Sequence, residues 1–241
     1  MPEICPMKKV IPWLLCLGAV LSTQASLLCQ EENMGLTVRF QPVFQDEKII
    51  LGHSLPSGQN DSLTMHTLRI YLSNFVFLKN GTVVLEEKNR YRLLDLEDES
   101  TLTLEFEEVQ NLDYDHIQFK LGIDSLTHIY GAMGGDLDPT KGMFWTWQSG
   151  YINVKLEGFS VKCPARNHEF QFHLGGYLAP YQSVQTVNLR VPKGRDLQLN
   201  LDLAPFFGQV DWAKKHSIMS PSREAVVLSQ VLANSFSIHA K

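Results

Sequence analysis

The chain has 241 residues, 44% of them hydrophobic, with 21 lysines and arginines against 26 aspartates and glutamates. That is an ordinary globular balance with ample material for a core, and the net charge of −5 argues against nucleic acid as a partner. The length suits one large β-domain as readily as two small ones.

The first residues have the pattern of a secretory signal peptide. Lys8 and Lys9 precede an apolar run over residues 10–21, and Ser22-Thr23-Gln24-Ala25 supplies small residues for cleavage after Ala25. Met7, directly before the lysines, is an alternative start. The run is too short for a membrane span and nothing later approaches one, so residues 26–241 are expected in the periplasm or secreted. Losing Glu3, Lys8 and Lys9 leaves 19 basic and 25 acidic side chains, a charge of −6. A lipid anchor at Cys29 is disfavoured by the bulky Leu28 before it. Cys29 and Cys163 are the cysteines left after cleavage, and whether they pair stays open. No zinc-type cysteine spacing occurs.

From residue 36 apolar side chains recur at every second position, which lines one face of an extended chain. Leu36, Val38 and Phe40 begin the pattern. Leu68, Ile70 and Leu72 repeat it, followed by Leu102, Leu104 and Phe106, then by Ile117, Phe119 and Leu121. Asn80-Gly81 is the strongest hairpin signal, and residues 52–62 read as a surface loop. In residues 151–158 the alternation assigns Ile152, Val154 and Leu156 to the core and turns Tyr151, Asn153, Lys155 and Glu157 away. Val187, Leu189 and Val191 follow, then Leu197, Leu199, Leu201 and Leu203. About nine strands without intervening helices predict an all-β fold, an antiparallel β-sandwich or barrel. One helix is expected near the C-terminus, capped by Ser220, with Pro221 at its first position and Glu224 in its first turn, running to about Asn234. The expectation is a single domain over residues 33–241.

The chemistry concentrates in two places. Residues 124–150 form a long, non-periodic connection holding His128, Met133, Met143, Trp145, Trp147 and five glycines, and such connections are more often functional than decorative. The bland reading is a glycine-rich loop pinned by two packing tryptophans. The second place is residues 168–177. Phe170 and Phe172 should point inward there, leaving Glu169, Gln171 and His173 on the other face, while His168 has the opposite parity to His173. A lone histidine is more often structural than a ligand, and Gly175-Gly176 predicts close backbone approach. The templates for a nucleophile elbow, a zinc-protease helix, a phosphate loop or a calcium loop are absent, so no enzyme is expected. The acidic residues 95–99 read as a solvated turn. Asp136 and Asp138 before Pro139 read as turn initiation, with an acid/base carboxylate pair as a third reading. A carbohydrate- or surface-binding module is the main alternative, using Trp145, Trp147 and Tyr151 as an exposed aromatic platform.

Several stretches carry a resemblance. They are Tyr71-Leu-Ser-Asn74, Leu121-Gly-Ile-Asp-Ser125, Gly135-Asp-Leu-Asp-Pro139, Gly142-Met-Phe-Trp-Thr-Trp-Gln-Ser-Gly-Tyr-Ile-Asn-Val-Lys-Leu-Glu-Gly158, Phe172-His-Leu-Gly-Gly176 and Ile218-Met-Ser-Pro221. Together they resemble the MbnP-like (methanobactin-partner) family of exported copper-binding proteins. The resemblance implies a β-sandwich that holds Cu(I) through histidines. In some members a tryptophan is oxidised to kynurenine by a partner di-haem enzyme of the cytochrome-peroxidase type. Carried onto this chain, it makes His173 and His128 the candidate ligands and Met133 and Met143 the soft donors. Trp145 or Trp147 is then the candidate for modification.

Overall fold

The computed structural model describes residues 35–55, 62–147 and 150–241. The expected signal peptide and Cys29 lie outside the described residues, as does most of the loop read at 52–62. Residues 35–241 form one compact unit.

The first strands follow the alternation closely. Strand β1 (Leu36–Phe44) buries Leu36, Val38 and Phe40 and turns through Gln45-Asp46 into the short β2 (Glu47–Lys48). After the two-residue β3 (Ser54–Leu55) comes β4 (Leu63–Lys79), the longest element. Its Asn80-Gly81 turn has φ of 49° and 79° and delivers the chain into β5 (Thr82–Glu86), the hairpin the sequence announced. Next come β6 (Tyr91–Asp95), β7 (Thr103–Phe106) and β8 (His116–Leu121). Leu102, read as strand, sits instead in the 3-10 turn before β7.

The connection after β8 contains the six-residue helix α1 (Ser125–Tyr130) and the short β9 (Phe144–Trp145). It leads into β10 (Gly150–Ser160), which pairs with β11 (Glu169–Gly175). Then follow β12 (Gln185–Arg190) and β13 (Asp196–Asp202). Leu203, assigned by alternation to this last strand, instead begins helix α2 (Ala204–Gln209), where Pro205 fits the first turn. The chain closes with β14 (Ser217–Ile218), helix α3 (Arg223–Ala233) and β15 (Phe236–Ala240). The cap of α3 is Ser222, not Ser220: its hydroxyl accepts the Ala225 N–H at 3.1 Å, so Pro221 lies outside the helix.

Two mixed sheets result. The smaller runs β15-β13-β1-β2, with β7 also on β1, and the larger runs β12-β8-β4-β10-β11-β14 with β3, β5, β6 and β9 attached. Antiparallel pairing predominates, as expected. The parallel pairs β1–β13 and β11–β14 join strands remote in sequence, which hairpin signals cannot foretell. Between the sheets lies the main core, built from Leu197, Leu199 and Leu201 with β1 on one side and Leu68, Ile70, Leu72, Phe119, Leu156, Phe170 and Phe172 on the other. Each such side chain contributes about 1.5–3 kcal/mol when fully buried. The architecture is therefore an all-β sandwich. No helix among the described residues is long and apolar enough to cross a membrane.

One irregularity positions the site. The β10–β11 register shifts between Ile152 and Val154, so Val154 and Leu156 keep to the main core while Ile152 faces the other way. The alternation had placed all three together.

Candidate metal centre

The long connection between β8 and β10 is fastened by caps and buried hydroxyls. The Asp124 carboxylate caps α1 by accepting the Thr127 N–H at 3.1 Å, and it also accepts the Tyr91 hydroxyl at 2.6 Å. Burial pushes this carboxyl up, but those hydrogen bonds outweigh it and hold it below the usual range. Burial and the same carboxylate push Tyr91 up to about 12. Asp138 accepts the Thr140 N–H at 2.8 Å and caps its own turn. Asp136 accepts Lys141 Nζ at 2.7 Å and the Leu93 N–H at 3.1 Å. Both carboxylates of the acid/base reading thus hold the loop together, each with its own partners.

Beneath this backbone a second apolar cluster covers the face of the larger sheet that points away from the main core. It comprises Tyr71, Leu93, Ile123, Leu137, Met143, Trp145, Tyr151 and Ile152. The Tyr71 hydroxyl donates to the Asp136 carbonyl at 2.8 Å, and that of Tyr151 donates to the Gly131 carbonyl at 3.0 Å while accepting the Met133 N–H at 3.0 Å. The three-ring platform is not formed. Tyr151 is fully buried and Trp145 is 6% exposed, so only Trp147 of the three, at 65%, faces solvent. Met143, expected as a soft donor, is likewise sealed into the cluster, while Met133 is exposed on the loop.

Beside the cluster lies a charged row across three strands. Arg69, Lys155 and His173 stand abreast on β4, β10 and β11. Arg69 is held by Asp95 at 2.7 Å and Glu97 at 2.8 Å. His173 Nε2 lies 2.6 Å from Glu157 Oε1, and Lys155 Nζ is 3.6 Å from the same oxygen. The hydrogen bond from His173, aided by Lys155, holds the Glu157 carboxyl below its usual range against the opposing effect of burial. An ionised carboxylate can only accept, so Nε2 carries a ring proton, and in the neutral form of the ring the lone pair is on Nδ1. That Nδ1 is buried and has no hydrogen-bond partner.

Gly175 follows His173 on the same face, and Trp145 lies on it. A Cβ at position 175 would stand 2.6 Å from Trp145 Cζ3 and 2.9 Å from the Tyr151 carbonyl, the close approach that the glycine pair predicted. The Trp145 and Trp147 rings are 5.8 Å apart, and Trp145 Nε1 is a second buried polar atom without a partner.

His128, expected as a ligand, has a different place. Its ring stacks on Tyr177 at 4.7 Å, and its Nδ1 accepts the Tyr151 N–H at 3.0 Å. The neutral ring then carries its proton on Nε2, which is buried without a well-aligned acceptor, and burial pushes the pKa down to about 4. Neither nitrogen has a lone pair to offer a metal. His168 is tied to the Cys163 carbonyl at 2.8 Å, and Cys163 itself is buried with Sγ 3.0 Å from the Glu169 carbonyl. Among the described residues no group of three His, Cys, Asp or Glu side chains is placed to hold an ion by itself. Of the two expected histidines, His173 is the one whose second ring nitrogen is left without a hydrogen-bond partner, on the outer face of the larger sheet and two residues from the Gly175 that Trp145 covers. Glu157 and Lys155 were missed as its partners: parity placed them outward, but only the register across β10 and β11 shows which histidine they meet.

A family model, MbnP, matches residues 33–220, more than three quarters of the chain. The chain belongs to the MbnP family. A solved structure, MbnP from Methylosinus trichosporium, has a TM-score of 0.58 with it at 17% identity, covering 85% of this chain and 98% of that one. At that identity the likeness is one of fold. No curated protein matches the sequence. The region matched by the MbnP model contains the whole second cluster together with Lys155, Glu157 and His173.

Proposed function

We propose that this is an exported copper-binding protein that holds Cu(I) on the outer face of its larger sheet through His173 Nδ1. The observation that carries the reading is the imidazole itself, with one nitrogen fixed by Glu157 and the other buried and unpartnered. Metal-binding histidines are commonly oriented by such a carboxylate, and imidazole nitrogen suits copper. A buried polar atom left without a partner costs about 1–3 kcal/mol, a cost that a bound ion would remove. MbnP-family membership supports the same reading. Bound Cu(I) would be the cargo, stored or delivered outside the cytoplasm.

Of the two tryptophans, Trp145 is the one assigned to oxidation, because it packs on Gly175, two residues along the same strand face from His173, whereas Trp147 is out in solvent. Conversion to kynurenine by a di-haem cytochrome-peroxidase-type partner would expose an aniline nitrogen that indole lacks. The test is an anaerobic Cu(I) titration against a competing chelator, with peptide mapping of residues 141–155 in protein taken from its own compartment. Near-stoichiometric copper that falls at least tenfold in affinity in His173→Ala supports the reading. Wild-type protein that takes up no copper and keeps both tryptophans intact overturns it.

A further inference from the structure

Beyond β11 the larger sheet continues onto one more strand, β14. The parallel pairing of β11 with β14 sets Gln171 opposite Ser217 and Phe172 opposite Ile218, and the Gln171 N–H donates to the His216 carbonyl at 3.0 Å. Continued one residue past its last pair, Phe172 with Ile218, that register would bring Met219 alongside His173. The two chains stay together past that point, because a Cβ at Gly176 would lie 3.0 Å from the Pro221 Cβ. Phe172 and Ile218 both enter the main core, so alternation turns His173 to the opposite face, and an extended course past the end of β14 would turn Met219 the same way.

Met219 is 43% exposed, so it is not committed to the core. Neighbouring strands are about 4.8 Å apart, and a methionine side chain has three rotatable bonds with which to reach across that gap. A thioether is a soft donor that Cu(I) accepts readily and hard cations do not. The two methionines that the sequence pointed to are worse placed: Met143 is sealed in the second cluster, and Met133 lies on the loop near Tyr151.

We propose that Met219 supplies a thioether donor to the copper held by His173. This rests on the copper reading above and names a second protein ligand for it. The site then combines one nitrogen from β11 and one sulfur from the residue that follows β14, which biases it toward Cu(I) over Cu(II).

The test is copper X-ray absorption on the full-length Cu(I)-loaded protein, comparing wild type with Met219→Leu and Met133→Leu. Leucine keeps the volume at a half-exposed position, so the fold should tolerate it. A sulfur scatterer is expected in wild type and in Met133→Leu and is expected to vanish in Met219→Leu, with Cu(I) affinity lowered about 10–100-fold and Cu(II) affinity nearly unchanged. In protein carrying 13C-methyl methionine, Ag(I) as a diamagnetic stand-in should shift the Met219 methyl signal and leave that of Met133 in place. Copper that binds with His173 dependence but shows only nitrogen and oxygen scatterers, or keeps its sulfur in Met219→Leu, overturns the thioether and leaves the copper reading standing. Wild-type protein that binds no copper overturns both.

Discussion

The two buried histidines show how one residue type is put to opposite uses by its hydrogen bonds. His173 donates from Nε2 to a carboxylate and keeps Nδ1 free, while His128 accepts at Nδ1 and has no lone pair left. Glu157→Ala should therefore release the tautomer of His173. Long-range 15N–1H spectra of the apo protein should show an Nε2–H imidazole in wild type and a tautomer mixture in the variant, with copper affinity lowered about 10–100-fold. His128→Phe should behave in the other way. It leaves the Tyr151 N–H without an acceptor at a cost of about 1–3 kcal/mol in urea unfolding, and copper affinity should not change. From sequence, the outward face of His173 was legible, because Phe170 and Phe172 fix the parity of its strand. The distinction between the histidines was not. It depends on the Tyr151 backbone and on Glu157, both distant in the chain and brought into place only by the fold.

At the level of elements, the hydrophobic period gave most of the strands and the Asn80-Gly81 turn gave the clearest hairpin. What it missed has a common cause. A period-2 pattern cannot reveal a bulge, and the register shift after Ile152 moves that side chain from the main core to the second cluster. The short helices α1 and α2 were missed too, being too brief to show a helical period. The cap of α3 was misplaced by two residues because Ser220 and Ser222 both flank Pro221 and carry the same chemistry. Ser222→Ala should cost about 1 kcal/mol by urea denaturation and Ser220→Ala close to nothing. Gly175→Ala tests the seam between β11 and the loop. The added methyl would meet both Trp145 and the Tyr151 carbonyl, so a loss of about 1–3 kcal/mol is expected. The near-ultraviolet signal of the displaced tryptophan should change with it.

For the whole molecule, the buried groups set the response to acid. His128 has a folded pKa of about 4, below the roughly 6.5 expected of an unfolded histidine. The unfolded chain therefore takes up the proton first. The stability that neutral His128 confers is intact above about pH 6.5 and is lost progressively toward pH 4, on the order of 3 kcal/mol in total. Asp124 and Glu157 have lowered folded values, so their contribution is present above the usual carboxylate range and is lost as pH falls through those values. Urea midpoints should accordingly drop between pH 7 and pH 5 in wild type and remain nearly flat over that interval in His128→Phe, with both proteins losing stability together in stronger acid.

The second apolar cluster also bears on how an ion would leave. On the proposed copper reading, a loop fastened by Asp124, Asp138 and the tyrosine hydroxyls would act as a wall beside the ion and not as a lid that opens to discharge it. Hand-over would then require an incoming ligand to attack from the half-exposed Met219 side while the old donors are still attached. Transfer of that kind would be associative: its rate would rise with the concentration of the recipient, and copper would stay in place when no acceptor is at hand.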